Sequence, residues 1–155
     1  MKRLSENVRH VFRVGVGLAG LSIVGFVATA AADPVTLAGS QEVPPVTTAA
    51  TGVADVSIIV TKCPAATSSA TDCPTAVGTV SVSGAVPTAI HVHNAPAGQN
   101  GPVVVTLVRQ GDAWVVPPGT TVSRDIYEAW WNGNLYVNVH TVANPNGEIR
   151  AQLKR

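Results

Sequence analysis

The chain has 155 residues, enough for one domain with its own core, and 10 Lys and Arg against 9 Asp and Glu residues leave a formal charge of +1. From residue 33 onward, six basic residues stand against eight acidic ones, so this part carries a formal charge of −2. Proteins that bind nucleic acids present a basic surface to the phosphate backbone, and we therefore expect no nucleic-acid partner.

The first 32 residues have the three parts of a secretory signal peptide: a basic start, an uncharged stretch over residues 14–32, and small residues at its end, Ala30-Ala31-Ala32. The alternative is a retained membrane anchor, since the stretch approaches the ~20 residues that span a bilayer. Its glycines and alanines make it a weak anchor. We predict cleavage after Ala32, a single domain over residues 33–155, a secreted or periplasmic location, and no membrane association after cleavage.

After residue 33, Val and Thr alternate with Gly and Pro, a composition typical of short strands joined by turns. Turn signals stand at residues 43–45, 94–101, 117–119 and 144–147. The pattern predicts an all-β, antiparallel Greek-key β-sandwich. Its seven predicted strands are Val35–Ala38, Gly52–Val60, Ala76–Ala85, Thr88–His93, Pro102–Arg109, Leu135–His140 and Glu148–Leu153.

Residues 123–133 break this pattern and predict one short helix. Ser123 is a candidate N-cap, and Asn132-Gly133 is a typical end. Ile126, Trp130 and Trp131 are spaced three to five residues apart, so a helix would lay them on one end of the sandwich.

Cys63 and Cys73 are separated by ten positions in a segment rich in Ala, Ser, Thr and Pro, which we do not expect to form a regular strand. Each cysteine precedes a proline, which favours extended or turn geometry. An even pair in an exported protein predicts a disulfide that closes a loop. A shared metal site is the weaker alternative, because the spacing matches no zinc motif and no histidine is near.

Three strands are predicted to separate an apolar face from a polar one. Because side chains alternate along a strand, His91 and His93 lie opposite Ile90 and Val92. The apolar face must form the core. The polar face then collects the following side chains: His91, His93, Tyr136, Asn138, His140, Glu148, Arg150 and Gln152. The glycine-bearing turn at residues 94–101 follows directly and would form one rim of any site on this face.

The three histidines of this face are candidate metal ligands. His-x-His on a strand places two imidazoles on one side with Cα atoms roughly 6.5–7 Å apart, within reach of one ion. His140 adds a third nitrogen if its strand lies adjacent. Imidazole suits copper and zinc, so Cu or Zn is the candidate cofactor. The alternative is that each histidine only forms structural hydrogen bonds.

The other polar residues of this face are candidates for supporting roles. Glu148 and Arg150 stand at i and i+2, and a surface ion pair worth ~0–1 kcal/mol is the interpretation we favour for Arg150. The alternative for Arg150 is an anion contact. For Glu148, the ion pair and a role in orienting a ligand imidazole are evenly balanced. Asn138 and Tyr136 are also candidates for positioning a ligand imidazole.

Several segments together resemble the CHRD domain, a module named after chordin. They are residues 37–45 (LAGSQEVPP), 51–52, 89–93 (AIHVH), 98–104 (GQNGPVV), 136–141 (YVNVHT) and 147–153 (GEIRAQL). Asn94 and Ala151 stand where the family usually has glycine. The resemblance implies an extracytoplasmic β-sandwich, immunoglobulin-like or superoxide-dismutase-like, without a settled activity. The His-Val-His strand is also similar, over a few residues, to one in copper/zinc superoxide dismutase.

Three hypotheses for function follow. A non-enzymatic binding or envelope module would recognise an extracellular protein or matrix component through its polar sheet face and loops, as chordin binds secreted growth factors. A copper or zinc protein would use His91, His93 and His140 for storage, sensing or superoxide-dismutase-like redox chemistry. A purely structural surface protein would use its histidines only for hydrogen bonds. The sequence has no Gly-x-Ser-x-Gly motif and no phosphate-binding loop, which favours the non-enzymatic module.

Overall fold

The structure is a computed structural model, and it describes residues 33–63 and 72–155. The predicted signal peptide lies outside the described residues, as does the middle of the segment between the two cysteines. Among the described residues, no helix has the length and apolar character needed to cross a membrane.

The described part of the chain forms nine antiparallel strands and one short α-helix, which confirms the predicted all-β class. The helix α1 spans Arg124–Trp131, and a 3₁₀ turn spans Gly39–Gln41. The strands are β1 Val35–Ala38, β2 Thr51–Lys62, β3 Asp72–Ser83, β4 Pro87–Asn94, β5 Val103–Thr106, β6 Val108–Gln110, β7 Ala113–Val115, β8 Leu135–Thr141 and β9 Ile149–Gln152.

The nine strands belong to one hydrogen-bonded sheet, in the order β5-β4-β8-β9-β1-β2-β3-β7-β6. The first and last strands of this order, β5 and β6, are consecutive in the chain and are separated by Leu107 alone. The backbone N–H of Leu107 donates to the carbonyl of Ile90 on β4 at 3.0 Å. The sheet therefore curves into a nearly closed barrel around the core. We had predicted one strand over Pro102–Arg109, but the buried Leu107 interrupts it at this corner. Strand β7 has three residues, too few for alternation to reveal it.

The β2–β3 hairpin carries the two cysteines. Its register runs from Thr51 opposite Ser83 to Lys62 opposite Asp72, where Lys62 Nζ donates to Asp72 Oδ1 at 2.6 Å. The predicted disulfide between Cys63 and Cys73 is confirmed, with Cα atoms 5.0 Å apart. Our expectation that no regular strand enters this segment was wrong at one end, because β3 begins before Cys73 and continues its pairing with β2.

The core lies where alternation placed it. Ile90, Val137 and Val139 are each fully buried on the inner face of their strands. Helix α1 begins as predicted, with Ser123 Oγ accepting a hydrogen bond from the backbone N–H of Ile126 at 3.3 Å. Trp130 packs into the core, whereas Trp131 is 49% exposed.

Candidate metal centre

Strands β4 and β8 are neighbours and bring the three histidines together. In their antiparallel register, His91 lies opposite Asn138, His93 opposite Tyr136, and His140 opposite Ala89. His140 is therefore the diagonal neighbour of His91 on the same face. The adjacency of these two strands is the condition that the sequence analysis left open, and their register meets it.

The three rings converge on one point. One ligand nitrogen from each of His91, His93 and His140 lies within 4.8 Å of the others. The ring centroids are 5.7 Å apart for His91 and His93, 4.9 Å for His91 and His140, and 5.9 Å for His93 and His140. Tetrahedral bonds of about 2.0–2.1 Å require nitrogens about 3.4 Å apart. Small side-chain rotations that move the rings inward by about 1 Å would close this gap.

Two backbone carbonyls fix the orientation of two of these rings. His93 Nδ1 lies 2.9 Å from the carbonyl oxygen of Gly101, and His140 Nδ1 lies 3.0 Å from that of Pro145. A carbonyl oxygen only accepts, so each Nδ1 carries the proton and each Nε2 keeps its lone pair. Carbonyls commonly hold metal-binding histidines in this way.

On each of the three rings, one buried nitrogen has no hydrogen-bond partner in the described part of the chain. These nitrogens are Nδ1 of His91, Nε2 of His93 and Nε2 of His140. A buried polar atom without a partner costs free energy, and three on facing rings need a common explanation. A metal ion bound between the rings would satisfy all three lone pairs.

The environment favours the metal-binding, neutral form of His91 and His93. Burial lowers the pKa of His91, and the charges of His140 and His93 lower it further. Burial also lowers the pKa of His93, against the hydrogen bond to Gly101, which favours the charged form. Neutral imidazole is the ligating form, so at least these two rings are ready to bind near neutral pH.

Tyr136 supports His93 from the neighbouring strand. The two rings stack with centroids 4.9 Å apart and planes 11° apart. The guanidinium of Arg150, on strand β9, lies 3.5 Å from the centre of the Tyr136 ring. The Tyr136 hydroxyl accepts a hydrogen bond from the backbone N–H of Gly101 at 3.1 Å. Gly101 thus links Tyr136 to the carbonyl contact that orients His93.

Arg150 corrects our prediction of a surface ion pair. It is only 1% exposed, and neither of the two salt bridges found among the described residues involves it. Its guanidinium donates to Asn100 Oδ1 at 3.2 Å and, at a longer 3.4 Å, to Gln152 Oε1. Both acceptors are neutral amides, so Arg150 is buried among polar side chains and does not pair with Glu148.

Glu148 and Asn138 make contacts that differ from those expected of them. The Glu148 carboxylate accepts hydrogen bonds from Thr48, Thr141 and Asn144, and these hydrogen bonds lower its pKa. No hydrogen bond joins Glu148 to the rings of His91, His93 or His140 in the described part of the chain, where Gly101 and Pro145 orient two of the rings instead. Asn138 donates from Nδ2 to Glu42 Oε2 at 3.3 Å.

Sequence reasoning missed three contributors to this site: Glu42, Gly101 and Pro145. Gly101 ends the turn at residues 94–101 that was expected to form a rim, so its region was found and its carbonyl contact was not. Glu42 is 5% exposed and contacts Asn138 on the polar face from residues 39–48, far away in sequence. Its only sequence signal was its place in the LAGSQEVPP segment.

The family of the chain follows from comparison with known proteins. The family model of the CHRD domain matches residues 34–153, nearly the whole of the described part. Comparisons with curated proteins and with solved structures found no match. The chain therefore belongs to the CHRD domain family.

Proposed function

We propose that this CHRD domain is an exported, non-enzymatic binding module that holds one Cu²⁺ or Zn²⁺ ion on His91, His93 and His140. The observation that carries the proposal is the convergence of three imidazole rings. One nitrogen of each ring lies within 4.8 Å of those of the other two, and each ring has a buried nitrogen without a hydrogen-bond partner. A purely structural role would give these nitrogens hydrogen-bond partners, as it does Nδ1 of His93 and Nδ1 of His140.

The donor set selects the class of metal. Three neutral imidazoles suit copper and zinc, whereas calcium and magnesium prefer carboxylate and carbonyl oxygens. The nearby carboxylate of Glu148 is already occupied by three hydrogen-bond donors. His91 and His140 are half-buried while His93 is buried, so an ion reaches the site from the side of His91 and His140.

Three features support export. CHRD domains occur in extracellular proteins such as chordin, the chain contains the Cys63–Cys73 disulfide, and residues 1–32 have the features of a signal peptide. We expect secreted or periplasmic material to begin at Asp33. Its intact mass checks this, and exported protein that retains residues 1–32 would contradict it.

A protein or matrix partner of this module would meet its loops. The polar face that we expected to contact a partner is covered, since Tyr136, Asn138 and Arg150 are all at most 3% exposed. Residues 39–48, 94–101 and 142–147 contact this face and expose many of their own residues. These loops are therefore the surface that we assign to partner recognition.

The test of metal binding uses His91→Ala as the most informative variant. The side chain of His91 takes part in none of the side-chain hydrogen bonds found in the described part of the chain, so replacing it with alanine disturbs the fold least. Protein purified without a histidine tag and stripped with a chelator is titrated with Zn²⁺ and Cu²⁺ by calorimetry. We expect one ion per chain for the wild type and strongly weakened binding for His91→Ala.

The matched control is Thr106→Ala, which alters the exposed cross-strand neighbour of His91 on β5 and should bind like the wild type. Equal metal binding by His91→Ala and the wild type would overturn the proposal.

Redox chemistry is the enzymatic alternative. Superoxide consumption by the copper-loaded wild type, absent from copper-treated His91→Ala, would favour it over a binding role.

A further inference from the structure

Glu42 and Asn138 form a buried pair in which two oxygen atoms lack a hydrogen donor. Asn138 Nδ2 donates to Glu42 Oε2 at 3.3 Å. The remaining oxygens, Glu42 Oε1 and Asn138 Oδ1, have no partner in the described part of the chain. An ionised carboxylate and an amide oxygen are both acceptors, so neither can satisfy the other unless a proton is added.

The two unpartnered oxygens are enclosed. Both atoms are buried from solvent. Gly147 closes one side: a Cβ on this residue would stand 2.6 Å from Glu42 Oε2 and 2.7 Å from both Nδ2 and Oδ1 of Asn138. A proton held by the pair itself would supply the missing donor.

The charges around Glu42 come from strand β9 and the segment before it. Burial, the largest influence, raises the pKa of Glu42 to about 7. The guanidinium of Arg150 and the hydrogen bond from Asn138 act in the opposite direction, and the carboxylate of Glu148 adds to the increase. Burial outweighs the attraction of Arg150, so the Glu42 carboxyl group favours its protonated form. The two unpartnered oxygens independently call for the same added proton.

We propose that Glu42 is a neutral carboxylic acid in the folded domain, and that its Oε1–H donates to Asn138 Oδ1 while Asn138 Nδ2–H donates to Glu42 Oε2. The single proton satisfies both unpartnered oxygens and closes a ring of two hydrogen bonds between an acid and an amide. The ring joins residues 39–48 to strand β8.

This ring makes the attachment of residues 39–48 sensitive to pH. When Glu42 ionises, one of the two hydrogen bonds disappears and the carboxylate faces the oxygen of Asn138. The folded state holds the proton up to about pH 7, while an ordinary glutamate releases it near 4.5. The stabilising contribution is therefore complete below pH 4.5 and is lost as the pH rises towards 7.

The variant Glu42→Gln tests the proposal, because its amide has the shape of the neutral acid and keeps a donor for Asn138 Oδ1. Urea unfolding of both proteins is compared from pH 4 to pH 9. We expect the unfolding equilibrium constant of the wild type to rise relative to the variant, by on the order of 10- to 100-fold between pH 4 and 8. The control is Glu128→Gln, on the exposed surface of α1. The ratio of the unfolding equilibrium constants of the wild type and this variant should stay nearly constant over the same pH range.

A wild type that keeps or gains stability relative to the variant as the pH rises from 4 to 8 would overturn the proposal, since the folded state would then not favour the protonated acid. Carbon-13 NMR of the glutamate carboxyl groups gives a second test that needs no unfolding. The resonance absent from Glu42→Gln should titrate near pH 7, and a midpoint at or below 4.5 would contradict us. Neither readout involves a metal, so it is independent of the histidine site.

Discussion

The two faces of strands β4, β8 and β9 are both largely buried, but by different means. On the inner face, Ile90, Val137 and Val139 are fully buried against the rest of the curved sheet. On the outer face, Tyr136 and Arg150 are each 1% exposed, beneath loops that reach them through hydrogen bonds. We call this outer set the polar layer; its members are His91, His93, Tyr136, Asn138, His140 and Arg150.

The comparison shows that alternation along a strand predicts the chemistry of a face and does not predict its exposure. An apolar face packs with little directionality, so many substitutions of similar size keep it intact. A buried polar layer depends on specific partners, and an atom without one is costly. The atoms of the polar layer that lack partners, on His91, His93, His140 and Asn138, are therefore the positions where a ligand or a proton is expected.

The largest effect is expected from the replacement of Arg150 in the polar layer. We expect Arg150→Ala to lower the free energy of unfolding by about 3–5 kcal/mol, because it leaves the oxygens of Asn100 and Gln152 without a donor and uncovers the Tyr136 ring. Chemical denaturation measures the loss. The exposed Arg109→Ala should stay within about 0.5 kcal/mol of the wild type. A similarly small loss at Arg150 would mean that this layer behaves as ordinary surface.

The inner face could be predicted from the sequence almost completely, and the polar layer only in part. Period-two alternation identifies Ile90 and Val92 as core and groups His91 with His93, because neighbouring side chains must point in opposite directions. The burial of Arg150 could not be predicted this way. It depends on Asn100 and other loop residues that have no periodic pattern, and their contact with β9 is a long-range tertiary feature.

The contacts of Glu148 were missed for a similar physical reason. Its spacing from Arg150 suggested a pair on one strand face, but Glu148 precedes β9 and turns towards Thr48 and Thr141. Strand ends are poorly defined by sequence, and a shift of one residue changes which neighbours a side chain meets. The spacing of His91 and His93 was a more reliable guide, because both lie inside a strand of eight residues.

The next effect in size belongs to metal binding at the polar layer. If Zn²⁺ binds only the folded state, a free concentration of 100 times the dissociation constant should raise the free energy of unfolding by about 2.7 kcal/mol. This gain in stability should shrink as the pH drops and the imidazoles become protonated. Because burial lowers the pKa of His91 and His93, the decrease should occur below the pH range in which histidine usually titrates. Thermal unfolding with and without Zn²⁺ at several pH values measures this. No shift at any pH would contradict the assignment of the site.

A comparable loss of stability is expected when the Cys63–Cys73 bridge, which links the ends of the described parts of the β2–β3 hairpin, is removed. The Cys63–Cys73 bridge spans ten residues, for which loop-closure entropy suggests about 2–3 kcal/mol. Replacing both cysteines with serine should lower stability by this amount while leaving the metal affinity unchanged. Denaturation and calorimetry on the same protein check the two halves. A parallel loss of metal affinity would show that the hairpin and the polar layer are coupled.

The smallest expected effect distinguishes a ligand from a structural residue and compares neighbours on the two faces. Ile90→Ala removes a fully buried inner side chain, which should cost about 2–4 kcal/mol with or without metal. His91→Ala, one position further along β4, removes a ring with a buried, unpartnered nitrogen and should change stability by less than about 0.5 kcal/mol in the presence of a chelator. With Zn²⁺ added, only the wild type and Ile90→Ala should gain stability. A large cost of His91→Ala under chelating conditions would instead assign His91 to the fold, because a residue that serves mainly as a ligand contributes little to stability when the metal is removed.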